Sequence, residues 1–150
     1  MGHSYSNILM HVIFSTKDRK AAIDESIRER LFAYMAGVVN ELNGRALTVN
    51  GVSDHVHMLA AVPATMAVAD FVRTVKANAS KWVHEEWPER TAFAWQTGYA
   101  AFSVSMSVSE DVKAYIARQE EHHRKFSFKD EFVAFLKRHG MQYDERYIWT

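Results

Sequence analysis

Apolar and polar residues alternate through residues 5–15, so that Ile8, Met10, Val12 and Phe14 fall on one side of an extended chain. That pattern predicts a first strand. A loop follows, and the period then lengthens: Ile27, Leu31, Met35, Val38 and Leu42 recur every three or four residues across 25–43, as on one face of a helix. Ser26 and Glu29 fit a capping box near its start, and Gly44 offers a stop. Extended patterning returns in residues 45–52 and 55–62, separated by a tight connection. Val68, Phe71, Val72, Val75, Ala79 and Trp82 mark a second long helix from 66 to about 86, with Thr65 as its cap. A fourth strand is predicted over 99–105. Ser107 and Glu110 repeat the capping-box pattern and open a helix that carries Tyr115. Phe128, Phe132, Phe135 and Leu136 face inward on a last helix, 128–139, which Gly140 stops; residues 141–150 form a tail.

The predicted order is βαββαβ followed by further helices. It implies an α+β fold of the ferredoxin-like, RRM-like kind: an antiparallel sheet with helices on one face, plus C-terminal helices carrying the tyrosine. In that arrangement Val56 and Met58 face the helices, and His55 and His57 face the open side. A length of 150 residues without linker or repeat predicts one domain, 1–150. The absence of cysteine excludes disulfides and zinc–thiolate sites. No apolar run has the length of a membrane span, and no basic-then-apolar leader opens the chain, so a cytoplasmic protein without membrane contact is expected.

Charge alters the picture only locally. Eighteen basic and eighteen acidic residues cancel, which counts against a protein that holds duplex DNA mainly through phosphates. A single-strand binder that adds base stacking to a local basic groove remains compatible. The candidates for nucleic-acid contact are Lys17, Arg19 and Lys20, then Arg73 and Lys76 on the second long helix, then His122, His123 and Arg124. Charge alone favours reading them as solvated faces balanced by Glu85, Glu86, Glu120 and Glu121.

The chemistry concentrates in two places. His55 and His57 are two apart on a strand and therefore share a face. Tyr115 and Gln119 are four apart on a helix and share another. Two imidazoles, an amide and a phenol converging on one point suit metal-assisted attack of a tyrosine on a phosphodiester. Asp54, pointing to the opposite face from His55, suits a supporting role. Taken singly, the same residues also fit a hydrogen-bonded histidine pair and an aromatic packed beside an apolar stripe.

The ordered set narrows these readings. Asp54-His55-Val56-His57-Met58-Leu59 matches the HUH motif, histidine–bulky apolar–histidine, and Lys113-Ala114-Tyr115-Ile116-Ala117-Arg118-Gln119 resembles the tyrosine helix of the single-tyrosine HUH transposases of small bacterial insertion sequences. The likeness extends to Phe14-Ser15-Thr16-Lys17-Asp18-Arg19, to residues 95–104, and through residues 119–124 to 143–149. REP-associated tyrosine transposases share this layout. The resemblance implies that His55, His57 and Gln119 ligate Mg²⁺ or Mn²⁺. It also implies that Tyr115 cleaves and rejoins single-stranded, hairpin-bearing DNA through a 5′-phosphotyrosine. It implies a homodimer with composite active sites, in which the tyrosine helix of one subunit completes the histidine site of the other. A domesticated, non-mobile hairpin-binding protein of the same fold is the alternative.

Overall fold

A computed structural model describes residues 2–150. Four strands, β1 (Ile8–Ser15), β2 (Arg45–Gly51), β3 (His55–Val62) and β4 (Ala100–Ser103), pair antiparallel in the order β2-β3-β1-β4. Helices α1 (Glu25–Glu41) and α2 (Val68–Glu86) cover one face. Val12 and Phe14 of β1 and Val56 and Met58 of β3 meet Leu31, Met35, Phe71 and Val75 there, all fully buried. This is the expected ferredoxin-like layer, and the two-residue period of β1 and β3 is what produces it.

The local stops differ from the sequence reading in instructive ways. Asp24, not Ser26, caps α1, accepting from the Ser26 backbone N–H at 3.0 Å. Asn43 takes the left-handed turn after α1, at φ 67°; Gly44 is needed for a different reason, since a Cβ there would lie 2.7 Å from the Ala61 carbonyl oxygen. Helix α2 begins at Val68 without a side-chain cap, so Thr65 does not serve. The predicted tyrosine helix is two pieces, α3 (Ser109–Ala117) and α4 (Gln119–His122), broken at Arg118 (φ −97°, ψ 19°). Ser105 accepts from Ser107 in a short turn ahead of α3, which replaces the capping box expected there. Helix α5 (Phe128–Arg138) is capped by Ser127.

The second face of the sheet is not open. Helices α3, α4 and α5 cover it. Leu9 and Leu59 pack on Ile116, while Ile13, Ala100 and Phe102 pack on Phe128, Phe132 and Leu136. The tail, 141–150, folds back against this layer through Tyr143, Ile148 and Trp149. The expectation of a solvent-facing histidine strand is therefore corrected: His55 and His57 are both fully buried. The apolar stripe of α5 is the reason, because its phenylalanines require a surface to bury against.

Among the described residues, no helix is long and apolar enough to cross a membrane.

Candidate metal and nucleophile site

Strand β3 is delivered into the site by a tight connection. A Cβ on Gly51 would lie 2.2 Å from the carbonyl oxygen of His55, so only glycine lets β2 pass this close to the histidine strand. In the ladder, Ser15 pairs with His55 and Ile13 with His57. Alternation then sets both imidazoles on the α3–α5 side.

The four expected residues do come together. Gln119 Oε1 is 3.3 Å from His55 Nε2. The rings of Tyr115 and His57 are 5.9 Å apart, centroid to centroid. Within the single chain, nucleophile and histidine pair lie together. Asp54 bonds His55 Nδ1 at 2.7 Å, so it supports the ring directly rather than turning away from it.

The residue that organises the cluster, Glu131, was missed in the sequence. It lies on α5 and is 4% exposed. Its Oε1 is 2.8 Å from His57 Nε2, 3.1 Å from His123 Nε2 and 3.5 Å from His55 Nε2. Its Oε2 accepts from the Tyr115 hydroxyl and from Gln119 Nε2, the latter at 3.3 Å, and lies 3.2 Å from His122 Nε2. A signal was available: Glu131 stands inside the Phe128–Phe132–Phe135 stripe, where a lone acid among inward positions needs partners. His11 was also missed. It is 3% exposed on β1, with Nε2 2.8 Å from His57 Nδ1.

The electrostatics follow from these contacts. Burial alone would raise the Glu131 carboxyl, but donation from His123, His55 and His57 holds it far below the usual carboxylate range. Burial opposes charge on His55, yet its bonds to Asp54 and Glu131 prevail and raise it. Burial lowers His57 to about 4 despite Glu131. His11, buried and beside His57, falls to about 3. Tyr115 is pushed well above the ordinary phenol by burial first and by the adjacent Glu131 carboxylate second.

One ligand atom from each of His55, His57, His123 and Glu131 lies within 4.8 Å of all the others. Nitrogen and carboxylate donors this close, three of them buried, fit one small divalent cation. His123, expected on the surface, is part of this group, and its side chain is only 9% exposed.

The DNA-contact candidates divide. Lys17, Lys20, Arg73 and Arg124 are exposed. Arg19 is committed, donating to the Trp149 carbonyl at 3.0 Å and lying over the Trp149 ring. Lys76 is corrected: it is 8% exposed, and its ammonium donates to the carbonyls of Gln96, Thr97 and Gly98 at 2.7, 3.3 and 2.9 Å. Burial brings it down to about 8. It fastens a loop and has no free face for a phosphate.

Residues 4–119 match the family model described as "Transposase IS200 like". The chain belongs to the IS200-like transposase family. It is 25% identical over 126 residues to the transposase for insertion sequence element IS200 of Salmonella typhimurium, covering 81% of this chain and 82% of that protein. It is 21% identical over 116 residues to the ISDra2 transposase TnpA of Deinococcus radiodurans, covering 74% and 83%. In fold it is similar to the crystal structure of a putative transposase from Deinococcus radiodurans (TM-score 0.62, 19% identity, 79% of this chain and 96% of that one). It is also similar to a REP-associated tyrosine transposase bound to a REP hairpin (TM-score 0.53, 10% identity, 79% and 68%). The match to the family model ends at Gln119, so Glu131 and the rest of α5 lie outside the matched segment.

Proposed function

We propose that this IS200-like transposase cleaves and rejoins single-stranded DNA through a covalent bond between Tyr115 and a 5′ phosphate. The observation that carries the reading is the meeting, within one chain, of the Tyr115 hydroxyl with the group of His55, His57, His123 and Glu131. Those four residues, with the Gln119 amide oxygen beside them, would hold Mg²⁺ or Mn²⁺. When bound, the ion supplies positive charge against the charge that builds on the phosphate oxygens.

The chain's own groups do the rest. The Tyr115 oxygen attacks phosphorus, and the bond to the 3′ oxygen breaks. A 5′-phosphotyrosine and a 3′-hydroxyl result. Because Tyr115 is held protonated beside Glu131, attack requires that this proton be given up; Glu131 and His122 are the groups within reach of it, His122 Nε2 at 3.4 Å. The phosphotyrosine conserves the ester, so the reverse attack by a 3′-hydroxyl rejoins the strand without ATP.

A hairpin-bearing strand is the proposed partner, supported by the solved relative bound to a REP hairpin. Exposed Lys17, Lys20, Arg73 and Arg124, with His122 at the mouth of the site, are the proposed contacts. A homodimer is proposed through β4, an edge strand with a free outer side among the described residues. The deciding experiment is denaturing electrophoresis of the protein after incubation with labelled oligonucleotides from the DNA flanking its own gene, with Mg²⁺ or Mn²⁺. A shifted covalent band supports the reading. Tight hairpin binding with no adduct on any flanking strand supports the domesticated binder instead.

A further inference from the structure

The two histidines of β3 are supported unequally from behind. His55 has Asp54, with Nδ1 and Oδ1 2.7 Å apart. A carboxylate only accepts, so His55 carries hydrogen on Nδ1 at all times, and Nε2, which faces Glu131 Oε1 at 3.5 Å, is the nitrogen that would give up its hydrogen to offer a lone pair to a cation. His57 instead has His11, whose Nε2 lies 2.8 Å from His57 Nδ1. On its other side, His57 Nε2 is 2.8 Å from Glu131 Oε1. The carboxylate must accept there too, so His57 carries its hydrogen on Nε2 as the site now stands. Its Nδ1 is then bare and accepts from His11.

A ligand nitrogen needs the opposite. For His57 Nε2 to bind a cation its hydrogen must be on Nδ1, and that hydrogen needs an acceptor, because the ring is wholly buried.

We propose that His11 is a positioning residue for His57: its Nε2 donates to His57 Nδ1 in the ion-free site and accepts from it when a cation takes His57 Nε2. This rests on the metal reading above. Imidazole suits the task because its Nε2 is donor or acceptor according to which ring nitrogen holds the hydrogen. A carboxylate or an ammonium could serve only one of the two states. The His11 Nε2 hydrogen passes to His57 Nδ1; the His57 Nε2 hydrogen leaves to water as the cation takes that nitrogen, and His11 takes one from water at Nδ1, so none is gained or lost overall. Position is secured by the fold: His11 pairs with Leu59 and Ile13 with His57, which makes the two histidines diagonal neighbours on one face. The Phe135 ring lies edge-on to His11 at 5.2 Å and holds it in place.

The test uses the full chain with ¹⁵N-labelled histidine. Nuclear magnetic resonance reads which ring nitrogen carries hydrogen, first without ion and then with Zn²⁺ as a diamagnetic probe; calorimetry measures Mn²⁺ affinity. Hydrogen should sit on His57 Nε2 without ion and on Nδ1 with it, and His11 should change in step. His11→Phe keeps a ring but no nitrogen, and should weaken Mn²⁺ binding about 10- to 100-fold. His11→Gln, whose amide both donates and accepts, should recover most of that loss. An unchanged His57 tautomer, wild-type affinity in His11→Phe, or no recovery in His11→Gln would each overturn the proposal while leaving the metal reading in place. A wild type that takes up neither ion overturns both. The tautomer measurement needs no variant, so poor folding of His11→Phe leaves it decisive.

Discussion

Asn50 on β2 donates its side-chain amide to the Ile116 carbonyl at 2.9 Å, fastening the end of the tyrosine helix to the strand that pairs with His57. If that bond also holds α3 beside its own histidines in solution, each subunit is complete by itself. Mixing His57→Ala with Tyr115→Phe subunits should accordingly restore no cleavage, even after subunit exchange. Recovered adduct in the mixture would show that the helix leaves its anchor and serves a partner.

Tyr115→Phe removes one hydroxyl from a half-buried ring. Glu131 loses one donor and keeps its bonds from His57, His123 and Gln119, so stability should change by no more than about 1–2 kcal/mol. Oligonucleotide binding should persist while covalent adduct disappears. Adduct remaining in the variant would move the nucleophile to another tyrosine.

Lys76→Met should cost about 1–3 kcal/mol, because three backbone carbonyls lose a buried donor. The salt dependence of oligonucleotide binding should be unchanged. For exposed Lys17 or Lys20 the expectation is reversed: replacement by Ala should leave stability alone and flatten the logarithmic salt slope by about 0.7 if a phosphate contact is lost. A flatter slope in Lys76→Met would return that residue to the DNA contacts.

Acid should destabilise the fold in a way traceable to two buried rings. His11 and His57 titrate at about 3 and about 4 when folded, against 6.5 for the free side chain. The unfolded chain therefore binds more protons below pH 6.5, and stability falls as the pH drops from there toward about 4. The depressed Glu131 carboxyl acts in the same sense at lower pH, whereas the raised His55 opposes it. Denaturant unfolding at pH 7 and pH 5 should show the loss, and His11→Phe should reduce proton uptake on unfolding at pH 5 by about one. Equal slopes in the two proteins would sink this attribution.

The strand–helix order could be read from periodicity because both faces of β1 and β3 have packing partners, and long amphipathic stripes such as that of α2 leave little choice. The pairs His55–His57 and Tyr115–Gln119 could be read because spacing fixes a shared face. What escaped were single buried polar residues. His11 in a strand and Lys76 in a helix look like solvated positions until the covering element is known, and Glu131 in a phenylalanine stripe signals that it needs partners without saying which. The break at Arg118 escaped for a related reason. Residues 107–122 have no proline or glycine to mark it, and the turn goes with the placing of Gln119 against His55 and Glu131.

Glu131 alters the expected temperament of the site. A divalent ion held by neutral imidazoles and an amide would keep both its charges for the phosphate, but would be gripped weakly until DNA arrived. One carboxylate among the ligands would cancel half that charge and lengthen the ion's stay. The protein would then carry its metal between encounters with DNA, exchanging some pull on the scissile phosphate for constant readiness.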